Sequence, residues 1–153
     1  MKKKMKRQAV ETKEDIWNAV IAVLSEYDVT KDKEYQEANI VFQYYSDMES
    51  GGHESLLNWF GEYIEEIGIE SYIQKLANAL EQIGAIDYAL IIKQYGLDLW
   101  QLSVAMVQDE QKQDEFYQLI QKADEDYYYL DGKLSELLED FFVKNYTKFI
   151  EFI

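Results

Sequence analysis

Ser71-Tyr72-Ile73-Gln74-Lys75-Leu76-Ala77-Asn78-Ala79-Leu80-Glu81-Gln82-Ile83-Gly84 is the stretch that decides the fold. Ile73, Leu76, Ala77, Leu80 and Ile83 return every three or four residues, which is one face of an α-helix, and Gly84 follows as the expected C-terminal glycine. The same period runs upstream. Thr12, with Asp15 three residues on as a weak capping box, opens a first helix on Ile16, Trp17, Val20, Val23, Leu24 and Tyr27. A second runs from about Lys31 to Met48 on Tyr35, Ala38, Val41, Phe42 and Tyr45, until Glu49-Ser50-Gly51-Gly52 breaks it. Leu56, Leu57, Phe60, Tyr63 and Ile64 make a short third helix.

Downstream, a helix runs from Asp87 toward Tyr95 and ends at Gly96, and Leu99 to Val107 forms another with Trp100 and Met106. Asp114 to about Tyr129 and Leu134 to about Ile153 complete the set. Tyr88-Ala89-Leu90-Ile91-Ile92 also reads as a buried strand, but its helical flanks and the lack of a partner strand argue against that. Tyr127-Tyr128-Tyr129 fits a strand as well as a helix. The sequence contains no proline to interrupt any of these segments. With no internal repeat and no linker, the fold class is all-α: one compact domain, a bundle of seven or eight helices over residues 11–153, preceded by a disordered basic tail, residues 1–10.

A chain of 153 residues that is 48% hydrophobic can bury a core, which excludes a disordered acidic tail as a description of the whole. The absence of cysteine removes disulfides, thiolate zinc sites and a cysteine nucleophile. No apolar run approaches the ~20 residues of a membrane span. The head Met1-Lys2-Lys3-Lys4-Met5-Lys6-Arg7 resembles the start of a signal peptide, yet Gln8 to Asp15 supplies no apolar segment behind it, so a cytoplasmic protein is expected.

Charge carries the functional information. Thirty acids face fifteen bases, a net −15, and five of those bases (Lys2, Lys3, Lys4, Lys6 and Arg7) precede Gln8. From Gln8 onward the balance is 30 acids against 10 bases, or −20. Such a body repels nucleic acid and anionic membrane and steers basic partners inward.

Catalytic chemistry finds no support. His53, the lone histidine, has no nucleophile or metal motif beside it and reads as structural. No Glu-x-x-His pair suggests a di-iron site. Asp124-Glu125-Asp126 with Asp131-Gly132 approaches a calcium loop, but Tyr129 stands where the sixth-position glycine is required and Ser135 where the twelfth-position glutamate is. No phosphate loop, nucleophile elbow or zinc spacing is present, so no metal, cofactor or enzymatic activity is expected. Tyr35, Tyr45, Tyr63 and Tyr117 lie on apolar stripes and are expected in the core.

The acids group as Glu62, Glu65, Glu66 and Glu70; Asp109, Glu110, Asp114 and Glu115; Asp124, Glu125 and Asp126; and Glu136, Glu139 and Asp140. Acids three or four apart on a helix stand ~5–6 Å from one another. That spacing is on the scale of the phosphates along a duplex strand, one charge per ~3.4 Å of axis. These fourteen residues are therefore the candidate partner-binding face, against the alternative of a solvated surface that confers only solubility.

Ser50-Gly51-Gly52-His53 after an aromatic-rich helix resembles an Asn-Gly-Gly element, with Ser50 in the place of the asparagine. Leu80-x-x-Ile83-Gly84-Ala85, Tyr88-Ala89 and Ile91-Ile92 resemble a second signature of the same family. Phe116-Tyr117, Ala123-Asp124, and Leu134, Leu137, Leu138 and Phe141 are similar to its closing segment. The family is a bacterial domain whose best-known relative is an acidic, dimeric, all-helical DNA-mimic protein, and the resemblance covers roughly residues 35–150. It implies a helical fold, a homodimer, and binding to a DNA-binding protein such as a transcriptional repressor. Gly51, Gly52 and Gly84, with His53, read as structural within these motifs. The expected function is thus a non-enzymatic DNA mimic that occupies the DNA-binding face of a transcription regulator or other DNA-binding protein. The alternative is an immunity or antitoxin protein that neutralises a basic, nuclease-type toxin; a deep polar pocket holding His53 would instead favour a small-molecule or enzymatic role.

Overall fold

Helix α1, Lys13–Leu24, begins at the expected cap. The Asp15 amide donates to Thr12 Oγ1 at 3.0 Å, and Asp15 Oδ2 accepts from the Thr12 amide at 3.1 Å. The two groups each supply what an open helix start lacks, and the backbone donors at Thr12 and Glu11 hold the Asp15 carboxyl below its ordinary pKa. In the computed structural model, which describes residues 2–26 and 35–153, five further α-helices follow: α2, Gln36–Ile67; α3, Ile69–Gln82; α4, Ile86–Ala105; α5, Glu110–Tyr129; and α6, Lys133–Asn145. Tyr27 and the expected helix start near Lys31 lie outside the described residues.

The chain is all-helical in class, but with six α-helices among the described residues rather than seven or eight. Two expected breaks account for the difference. Gly51 and Gly52 leave helical dihedrals, yet the helix resumes at His53, so the second and third predicted segments form one kinked α2. Gly96 lies inside a continuous α4. A Cβ at this position would sit 2.9 Å from Ile73 Cδ1, so this glycine lets α3 approach α4 and punctuates nothing. Both strand-like runs, Tyr88–Ile92 and Tyr127–Tyr129, are helical.

Gly84 does end α3. At φ 84° it takes a conformation that costs other residues a Cβ clash, and the Ala85 amide donates to the Leu80 carbonyl at 2.8 Å while the Gly84 amide donates to Glu81 at 3.1 Å. This pair of bonds satisfies carbonyls that the helix end would orphan. The tight stop turns the chain back, so that α3 packs on α4, and α2 on α3 and α4 on α5 likewise. Helix α6 closes the domain against α1 and α2.

The predicted terminal helix reaches only Asn145, whose side-chain amide donates to the Phe141 carbonyl at 2.8 Å. Beyond a 3₁₀ turn at Tyr146–Lys148, the alternation in Ile150-Glu151-Phe152 makes a strand, β2, with Ile150 buried and Glu151 exposed. Its partner is β1, Lys3–Met5, inside the segment expected to be a disordered tail. The two run parallel, Lys3 opposite Ile150 and Met5 opposite Phe152, and the Arg7 guanidinium stands 4.6 Å from the centre of the Phe152 ring.

The core is rich in aromatic rings. Tyr44, Tyr72, Tyr88, Phe60, Phe116 and Phe142 are all fully buried. Of the tyrosines expected inside, Tyr35 and Tyr63 are buried and Tyr45 is half-buried, whereas Tyr117 is 45% exposed.

Candidate partner-binding surface

The glycine kink in α2 positions a polar contact in which one acceptor meets two donors. Gly52, at φ 70°, turns the chain so that His53 presents both its amide and its ring to one carboxylate on α5. Asp124 Oδ1 accepts from the His53 amide at 2.9 Å and lies 2.7 Å from His53 Nδ1. A carboxylate oxygen accepts, so this contact places a proton on Nδ1. A Cβ on Gly52 would fall 2.5–2.8 Å from three atoms of the Asp124 carboxylate, so glycine is required twice over, for its φ and for its bareness. His53 is only 1% exposed, and its Nε2 is buried without a hydrogen-bond partner. The contact ties α2 to α5; it is a structural joint, and Asp124 is drawn away from the acidic surface into it.

The other acids of the third group are also partly engaged. Asp126 Oδ2 accepts from the Tyr95 hydroxyl of α4 at 2.6 Å, and this bond raises the Tyr95 pKa. Glu125 accepts from Gln121 one turn earlier at 3.1 Å. In the second group, Asp109 caps α5 by accepting from the Gln111 amide at 3.0 Å, and Glu115 pairs with Lys112 at 3.1 Å. Glu110 and Asp114 are exposed on the first turns of α5.

The first and fourth groups carry the open charge. Glu62, Glu65 and Glu66 lie on the last turns of α2 and Glu70 on the first turn of α3, all exposed. Glu66 is near enough to Tyr63 to help burial raise that hydroxyl's pKa. Glu136 and Glu139 of α6 line one hollow with Glu14 of α1, beside Trp17 and Tyr45. Glu136 and Asp140 line another with Asp87 of α4, where Lys133 of α6 is the one base. Glu14 and Asp87 went unnoticed in the sequence because only the packing of α1 and α4 beside α6 brings them there. Among the described residues the ion pairs are His53–Asp124, Lys93–Glu81 and Lys112–Glu115, so neither group is ion-paired there, and Lys133 is the cation that shares a hollow with the fourth.

One further carboxylate lies inside. Asp47 of α2 is 6% exposed, with Gln43 as a long 3.4 Å donor and Oδ2 buried without a partner. Burial pushes its pKa up to about 6. The neighbouring Tyr44 and Tyr72 hydroxyls are likewise buried and unpartnered, and burial drives both pKa values far above the ordinary tyrosine range.

The model of a family described as DMP19-like protein matches residues 31–146. The chain belongs to the DMP19-like family. No curated protein and no solved structure matches it. In this DMP19-like chain the matched segment holds the glycine kink, His53, Gly84 and all fourteen candidate acids. It leaves out α1 and the β1–β2 pair, so Glu14 reaches the α6 acids from outside the family segment.

Proposed function

We propose that this protein is an acidic DNA mimic that competes with DNA for the basic face of a DNA-binding protein. The observation that carries the reading is a carboxylate surface without ion pairs: helices α2, α3 and α6 present Glu62, Glu65, Glu66, Glu70, Glu136, Glu139 and Asp140 with no ion-paired cation among the described residues. Membership of the DMP19-like family is consistent with it. A surface of fixed charge at helical spacing attracts lysine and arginine side chains that would otherwise contact phosphates, and its affinity falls with added salt as protein–DNA affinity does.

The test captures basic proteins on the immobilised chain at low salt, then asks whether the free chain dissociates a captured protein from its DNA. A DNA-binding protein displaced from DNA, with displacement fading as salt rises, is the expected result. The reading is overturned when no captured protein binds DNA, or when the one that does keeps its DNA affinity unchanged. Rescue of cells expressing a basic nuclease, without any effect on a transcription regulator, would point to an immunity protein instead.

A further inference from the structure

Between the second half of α2, the C-terminal turns of α4 and the start of α5 runs a groove of about 650 Å³. Leu57, Trp100, Met106 and Phe116 form an apolar floor. Val104, 56% exposed, and Val107, 80% exposed, stand at its edge, as does the exposed Tyr117 ring. Glu54 and Glu65 are the ionisable acids among its lining residues, and no lysine, arginine or histidine lines it. The Glu54 carboxylate is close enough to the Tyr117 hydroxyl to raise its pKa, so charge and aromatic edge meet at one lip.

We propose that this groove receives a cationic segment of a partner protein, seated by one large apolar side chain flanked by lysines or arginines. The inference rests on the mimic reading and names a part of the partner that DNA itself does not use. A surface that reproduced only phosphates would have no need of an apolar floor, because phosphate contacts are made through charge and fade with salt. Apolar burial is not screened, so an anchored segment retains affinity where a purely ionic one loses it. Charge complementarity selects the occupant. The lips are acidic and the body from Gln8 onward carries −20, which disfavours a nucleic acid or an anionic membrane and favours a cationic segment.

Two synthetic peptides of identical length and charge test the proposal, each a short lysine- and arginine-rich segment with either phenylalanine or alanine at its centre. Titrated calorimetrically into the full chain, the phenylalanine peptide should bind about tenfold tighter, and the gap should persist when salt is raised to about 0.5 M. Val107→Asp, at an exposed position that costs the fold little, should erase the gap while leaving the melting temperature unchanged. Equal affinities for both peptides, a gap untouched by Val107→Asp, or a self-association in sedimentation that Val107→Asp abolishes would each overturn it. The comparison uses no DNA-binding protein, so its failure is separate from a failure of DNA displacement.

Discussion

One oxygen of Asp124 holds His53 twice, 2.9 Å from its amide nitrogen and 2.7 Å from Nδ1 of its ring. Both donors belong to a residue that is 1% exposed, so removing the carboxylate takes away the protein partner of each. Asp124→Ala should therefore lower stability by about 2–4 kcal/mol, the cost of leaving two buried donors unmet. Urea denaturation measures it. A loss below about 0.5 kcal/mol, in the range of a surface substitution, would return Asp124 to the binding face.

The two glycines misread as equivalent breaks should separate under substitution. Gly52→Ala meets both a left-handed φ and the Asp124 carboxylate at 2.5–2.8 Å, and a cost of about 2–4 kcal/mol is expected. Gly96→Ala meets the movable end of Ile73 at 2.9 Å, while alanine stabilises a helix interior by about 1 kcal/mol over glycine. Its net change should stay within about 1 kcal/mol of zero. Comparable losses in the two variants, by thermal melting, would show that Gly52 is no special joint.

Asp47 makes stability depend on pH. Its pKa rises from an ordinary 3.8 to about 6 on folding, so between these values the folded chain holds a proton that the unfolded chain has lost. Stability accordingly falls as pH rises from about 4 to about 6, and the charged form stays unfavourable above that. Asp47→Asn should be more stable than the parent at pH 7, by up to about 2–3 kcal/mol, and match it near pH 4. Melting temperatures across that range decide the matter, and parallel curves for the two proteins would refute the assignment.

Glu136, Glu139 and Asp140 repel one another along α6 without a paired cation. Replacing all three with glutamine relieves that repulsion but removes the favourable acid Glu136 from the first turn, so stability should change by less than about 0.5 kcal/mol at any salt. The same variant should bind its partner less tightly and with a shallower salt dependence. A partner affinity unchanged at low salt would remove α6 from the binding face.

Local signals explain what was legible. The Thr12–Asp15 box, the Gly84 stop and the apolar period of α3 each depend on residues within one or two turns, and all three are present as expected. Glycine was ambiguous because its missing side chain serves a turn at Gly84 and a close approach of helices at Gly96, and only the position of Ile73 tells the two apart. The strand at Lys3–Met5 was hidden by its charge, since its partner lies more than 140 residues away and no local pattern announces a pairing at that separation. Among the acids, sequence spacing identified Glu136, Glu139 and Asp140 on one helix. It could not reveal that Glu14 and Asp87 join them, or that Asp124 leaves for His53, because those relations are tertiary.

The pairing of Lys3–Met5 with Ile150–Phe152 also has a mechanical meaning. Because the strands are parallel, tension applied to the chain ahead of residue 3 and behind residue 152 pulls them in opposite directions along their length. The hydrogen bonds between them are then loaded in shear, all at once, rather than peeled one after another. The six α-helices of the described residues lie between the two strands in sequence, so a pull on both arms loads that small patch first.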